Sequence, residues 1–192
     1  MDVKRAIGVI LATFGLAWNG YSQGPGRVSC DIQLDLALKI LAFDRKLPSR
    51  VGDELVFGIV YQGDFPASLQ VKAEMEQAFE TFAIKKVGTI PVRMAAVDLG
   101  RSPRWEQELK EAGVDIVYLA PLKDKAFDRV IILCRRMRLT TIASLPGDPA
   151  RGAAVGFEPA GAKSVIVINL SAARAEGADF SSRLLGMSKV LR

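Results

Sequence analysis

Two spacings of apolar residues alternate along the chain, one near 3.6 and one of continuous short runs, and their order predicts most of the elements. Residues 31–43, DIQLDLALKILAF, place Ile32, Leu36, Ile40 and Phe43 on one stripe, widened by Leu34, Leu38 and Leu41. The spacing predicts a helix with Asp31 as its N-cap. ELVFGIVYQ (54–62) is an unbroken apolar run rich in β-branched and aromatic residues, as expected of a strand buried on both faces. A helix follows, with Pro66 early and Val71, Met75, Ala78, Phe79 and Phe82 on one face. IPVRMAAVDL (90–99) predicts the next strand. Residues 102–113 predict a helix with Ser102 as cap, Pro103 at its first position and Gly113 as its stop. VDIVYLAPL (114–122), then a helix over 123–139, then TTIASLP (140–146) complete the run.

Strands alternating with helices in this way imply a mostly parallel sheet with helices on both faces. The ending breaks the rhythm. GAAVGFEP (152–159) and KSVIVINL (163–170) read as a β-hairpin joined through Ala160, Gly161 and Ala162. In the tail, Phe180, Leu184, Met187 and Leu191 fall at helical spacing behind Asp179 or Ser181 as a cap. The expected fold is therefore α/β: a three-layer sandwich with a C-terminal β-hairpin and a closing helix.

The first residues belong to a different pattern. MDVKR is basic, AIGVILATFGLAW (6–18) is apolar, and NGYSQ offers small residues at Gly20 and Ser22. That is the layout of a signal peptide cut after Ser22. The apolar run is short for a membrane span of about 20 residues; an uncleaved N-terminal anchor is the alternative. Residues 23–192 are then one exported domain.

The chain has 192 residues and a formal net charge of +5. Its cations are scattered, with IKK (84–86) and CRRMR (134–138) the only local clusters. A nucleic-acid surface needs a concentrated basic face, so no nucleic-acid partner is expected. The two cysteines, Cys30 and Cys134, permit one disulfide in an exported chain. Cys134 also shares a helical face with Phe127, Val130 and Ile131, which suits a buried free thiol instead.

Candidate chemistry is sparse. The chain has no histidine, which removes the commonest general base and metal ligand. Asp98, Asp115, Asp124, Asp128 and Asp148 are dispersed, with no metal-ligand spacing. The glycine-rich segment 146–156 matches neither dinucleotide nor P-loop spacing and leads into a strand, so it reads as a loop. Asp98 and Pro121 fall near strand ends, where open α/β sheets place ligands. A binding protein without cofactor is expected rather than an enzyme.

The last strand and tail carry Ile168, Asn169, Leu170, Ala173, Arg174, Gly177, Ser181, Ser182, Leu184, Leu185 and Val190 in a pattern that resembles the YfiR/HmsC family of exported bacterial proteins. VGDELVFGIVY (51–61) also fits the opening of that family, and the resemblance runs from about Asp31 to the end. It implies a periplasmic, non-enzymatic regulator that restrains an inner-membrane diguanylate cyclase through that enzyme's periplasmic sensor domain, and so acts on cyclic-di-GMP output and biofilm. A homodimer is a further assembly to test. The signature residues themselves suit structural roles: Asn169 can bond the turn after its strand, and Ser181 and Ser182 can cap the closing helix. The alternative is a small-molecule binding protein resembling one lobe of an ABC transporter's solute-binding component, with its ligand at the Asp98/Pro121 edge.

Overall fold

The computed structural model describes residues 26–101 and 103–192. The leader assigned to residues 1–22 and the cap assigned to Ser102 lie outside the described residues. In chain order come α1 (Cys30–Leu41), α2 (Leu47–Arg50), β1 (Leu55–Tyr61), α3 (Pro66–Thr81), β2 (Lys86–Val87), β3 (Ile90–Asp98), α4 (Trp105–Glu111) and β4 (Ile116–Leu119). Then follow α5 (Asp124–Met137), β5 (Thr140–Ala143), α6 (Asp148–Arg151), β6 (Val155–Ala160), β7 (Lys163–Asn169), α7 (Leu170–Ala175), α8 (Ser182–Gly186) and β8 (Lys189–Leu191).

The strands join one sheet in the order β2-β3-β1-β4-β5-β6-β7-β8. β3, β1, β4, β5 and β6 run parallel, β7 returns antiparallel as a hairpin, and β8 lies parallel to β7. The period of two explains why β1 and β4 are apolar throughout. Leu55, Phe57, Ile59, Ile116 and Tyr118 point to one face, where α1, α3, α7 and α8 pack. Val56, Val60, Val117 and Leu119 point to the other, against Trp105 and Leu109 of α4 and Phe127, Val130 and Cys134 of α5. This is the expected three-layer α/β sandwich.

Several elements depart from expectation. The buried face of α1 is Cys30, Gln33, Leu34, Ala37, Leu38, Ile40 and Leu41, while Ile32 is 47% exposed. The helix is turned so that a glutamine, not an isoleucine, faces inward. α4 begins at Trp105, two residues beyond Pro103. The tail does not stay helical to its end: α8 stops at Gly186, Met187 is exposed, and Lys189–Leu191 adds a strand beside β7. Glycine weakens a helix, and the outer edge of β7 offers unpaired backbone groups that a strand satisfies.

The direction of chain progression reverses at β1, whose neighbours are β3 and β4. In open α/β sheets the crevice outside the carboxyl ends of the strands at such a switch point receives ligands. Gly58, in the middle of β1, makes room for the opposite layer: a Cβ there would lie 2.6 Å from Val114 Cγ1. Gly58→Ala is expected to lower unfolding free energy by about 1–3 kcal/mol through overpacking, read as a lower denaturant midpoint with an unchanged slope.

Candidate functional site

Two regions gather buried polar groups into connected sets. The first is a cleft of about 400 Å³ at the carboxyl edge of the sheet. Arg27 enters it from the segment before α1, Gln70 and Val71 from α3, Pro121 from the end of β4, and Leu145 and Pro146 from the end of β5.

Under this cleft lies a connected set of buried polar side chains. Arg27 forms an ion pair with Glu74 and donates to Cys30 Sγ at 3.1 Å. Cys30 Sγ is 3.8 Å from Tyr118 Oη, which donates to Gln33 Oε1 at 2.8 Å. Gln33 Nε2 in turn donates to the carbonyls of Val28 at 2.6 Å and Ser144 at 3.1 Å. Burial of polar groups is tolerable only when they are bonded in this way, and this set holds the strand ends in register with α1. Burial pushes the Cys30 thiol up, against the opposing pull of Arg27, and pushes Tyr118 well above its ordinary value. A thiol kept protonated is a poor nucleophile. The cleft thus presents an apolar wall over a bonded polar floor.

The second region is a clasp between the two ends of the fold. Asp44, whose side chain is fully buried, pairs with Arg50 through Oδ2. Its Oδ1 accepts from the backbone N–H of Lys46 at 3.0 Å and of Asp179 at 2.9 Å. Arg45 N–H donates to Asp179 O, and Ser181 N–H to Phe43 O, each at 3.0 Å. Arg50 also reaches the carbonyls of Arg138 at 3.1 Å and Glu176 at 3.3 Å, and Thr140 Oγ1 at 3.2 Å.

The signature residues sit around this clasp. Asn169 caps α7, accepting from Ala172 N at 2.9 Å and donating to Pro149 O at 2.8 Å. Gly177 has φ +89°, the left-handed turn that leads out of α7. Ser181 caps α8 through a long contact of 3.4 Å to Leu184 N, while Ser182 is the first residue of that helix and exposed. Arg174 is exposed on α7 and lies near Asp179, whose carboxyl is held below its ordinary value first by the hydrogen bond from Arg45. Asp179 is thus an ion-pair partner rather than a helix cap.

The structure separates the residues placed at the ligand edge. Pro121 lines the cleft. Asp98 does not: its Oδ1 accepts from Gly63 N at 2.9 Å and Gly100 N at 2.8 Å, pinning the turns after β1 and β3. The disulfide does not form. Cys30 and Cys134 are both free and buried, one in each core layer with the sheet between them, whereas a disulfide needs Cα atoms within about 7 Å. The glycine-rich segment contains one turn of helix, α6, before β6. Sequence reasoning missed Gln33, Asp44, Arg50, Tyr118 and Glu176. Gln33 alone left a trace, as a polar residue inside an apolar helix.

Among the described residues no helix is long and apolar enough to cross a membrane. A family model described as YfiR/HmsC-like matches residues 35–189, and no curated protein matches the sequence. Among solved structures, a conserved domain protein from Vibrio cholerae O1 biovar El Tor str. N16961 is similar at a TM-score of 0.59 and 15% identity, over 86% of this chain and 61% of the other. The ligand-free, open structure of a substrate-binding protein with adhesive properties from Clostridium difficile gives 0.58 and 16%, over 86% and 60%. The ABC domain in complex with L-Trp from Streptococcus pneumoniae gives 0.50 and 15%, over 85% and 60%. At these identities the likeness is one of fold, and this chain spans about three fifths of the length of those proteins.

Removing Asp44 leaves Arg50 without its carboxylate and two N–H groups without an acceptor. Asp44→Ala is expected to destabilise the protein by about 3–5 kcal/mol, the scale for breaking one partner of a buried pair, measured by urea unfolding followed by circular dichroism.

Proposed function

The chain belongs to the YfiR/HmsC-like family, and from that premise we propose that it is a periplasmic, non-enzymatic regulator that restrains an inner-membrane diguanylate cyclase by contacting that enzyme's periplasmic sensor domain. The observation that carries this reading is the extent of the family match, which covers β1 to β7, the clasp and the signature around Asn169, Arg174, Gly177 and Ser181. Restraint by contact requires only that the protein bind the inactive state of its partner better than the active one.

A second reading rests on the cleft itself. Its place at the switch point of the sheet, with an apolar wall of Val71, Leu145 and Pro146 and polar Arg27 and Gln70, suits a small solute. The protein would then be a single-lobe small-molecule binding protein, similar in fold to the substrate-binding protein from C. difficile.

Residues 23–192 immobilised and exposed to solubilised inner membranes are expected to retain a diguanylate cyclase with a periplasmic domain, identified by mass spectrometry. Retention of a transporter permease, or of no membrane protein, contradicts the regulatory reading and favours the second. Titration calorimetry against small amphiphilic solutes tests that second reading: saturable heat lost in Val71→Asp supports it, and no heat from the wild-type protein removes it.

A further inference from the structure

Glu176 is a carboxylic acid with no exposed surface, placed where α7 ends against β5. Thr141 N–H donates to its Oε2 at 2.7 Å, and Thr141 Oγ1 lies 3.0 and 2.9 Å from its two oxygens. The same hydroxyl accepts from Ala154 N at 2.8 Å, so one threonine couples the carboxyl to β5 and to the approach to β6. The backbone carbonyl of Glu176 holds Arg50, which in turn holds Asp44. The residue therefore joins the sheet to the clasp.

The charged and titratable groups that face it come from two elements, α2 and α5. Arg50 approaches from α2, and Arg135 and the Cys134 thiol from α5; Asp44 stands behind Arg50. Both arginines favour the charged form, yet burial outweighs their pull, and each is also held by other groups. Arg50 is committed to Asp44, Thr140 and two carbonyls, and Arg135 reaches Gly152 O at 3.4 Å. A proton lost from Glu176 to the solvent leaves a buried charge with two outlets. Either the side chain swings out and leaves Thr141, or Arg50 turns toward it and leaves the buried Asp44 carboxylate, the acceptor of Asp179 N–H, without its counter-charge. Both loosen the same segment.

We infer that Glu176 is the proton-sensitive pin of a latch that fastens the C-terminal segment, residues 170–191, to β5 and to the α1–α2 corner, so that the segment is held in acid and loosened as the surroundings become alkaline. Desolvation is the first cause, and it raises the carboxyl from its ordinary 4.5 to about 8. The closed latch thus binds the proton more tightly than the open one. Opening is suppressed below pH 4.5, becomes easier by about tenfold per pH unit up to about pH 8, and levels off above. Outside the cytoplasmic membrane, pH follows the medium, so the device would report on it directly.

Cys134 gives the readout, because it is fully buried beside Glu176. Cys30 lies in the opposite layer and serves as an internal control for global unfolding. The experiment is methanethiosulfonate labelling of both thiols between pH 5.5 and pH 9 in the wild-type protein and in Glu176→Gln, resolved by mass spectrometry. The wild-type to Glu176→Gln ratio of Cys134 labelling rates is expected to rise by at least about tenfold from pH 5.5 to pH 8, with no such rise at Cys30. A flat ratio at Cys134 overturns the proposal. An equal rise at both thiols also overturns it, since that is global destabilisation rather than a latch. Should Glu176→Gln fail to fold, the Cys134 to Cys30 ratio in the wild-type protein decides alone, and its constancy across the same range counts against the latch.

Discussion

The buried carboxylate of Asp44 is the constraint on which the closure of this fold depends. A charge with no solvent contact carries an effective penalty of several kcal/mol unless it is paired and bonded. Here Arg50 and the N–H of Lys46, from the same corner of the chain as Asp44, and the N–H of the distant Asp179 supply that compensation. The corner after α1, the single turn of α2 and the loop between α7 and α8 can therefore meet in only one arrangement. Asp44 also pairs with Phe180 as an isolated β-bridge, and Phe180 fills the core below it. The sheet provides the bulk of apolar burial, but the clasp decides how its last strands and helices close over it.

This arrangement gives the family signature a physical meaning. Asn169 and Ser181 begin α7 and α8, and Gly177 supplies the one left-handed turn that lets the chain leave α7 toward Asp179. None of them needs a ligand to explain its residue type. The cleft lies at the other end of the sheet, where Arg27, Cys30, Tyr118 and Gln33 form a bonded floor. The protein thus keeps its closing contacts and the cleft at opposite edges of the sheet.

The layering was legible because both periods were strong. ELVFGIVYQ and VDIVYLAPL could be little other than strands covered on two faces, and α5 carries its apolar stripe at Phe127, Val130, Ile131 and Cys134. The hairpin was legible from Gly161. What stayed hidden depends on pairings across long separations in sequence. Gln33 looks misplaced in α1 until Tyr118 and Ser144 are beside it, and Ile32 looks inward until Gln33 takes that place. Asp44 and Glu176 sit in polar stretches that read as solvated loops, because burial of a charge is decided by its partners and not by its neighbours. The final strand was missed for a related reason: Leu191 fits a helical stripe, and only the open edge of β7 makes a strand the better use of those residues. Asp98 illustrates the converse. Its position at a strand end suggested a ligand, yet two glycine N–H groups already occupy it.

The C-terminal segment is fastened as part of the core rather than laid over it. Native-state hydrogen exchange at the Asp179 amide, followed by NMR in mildly acidic buffer, tests it most directly. Protection comparable to the amides of β5 is expected, because the acceptor of that N–H is the buried Asp44 carboxylate. Exchange at the rate of an open loop, with β5 still protected, would contradict it.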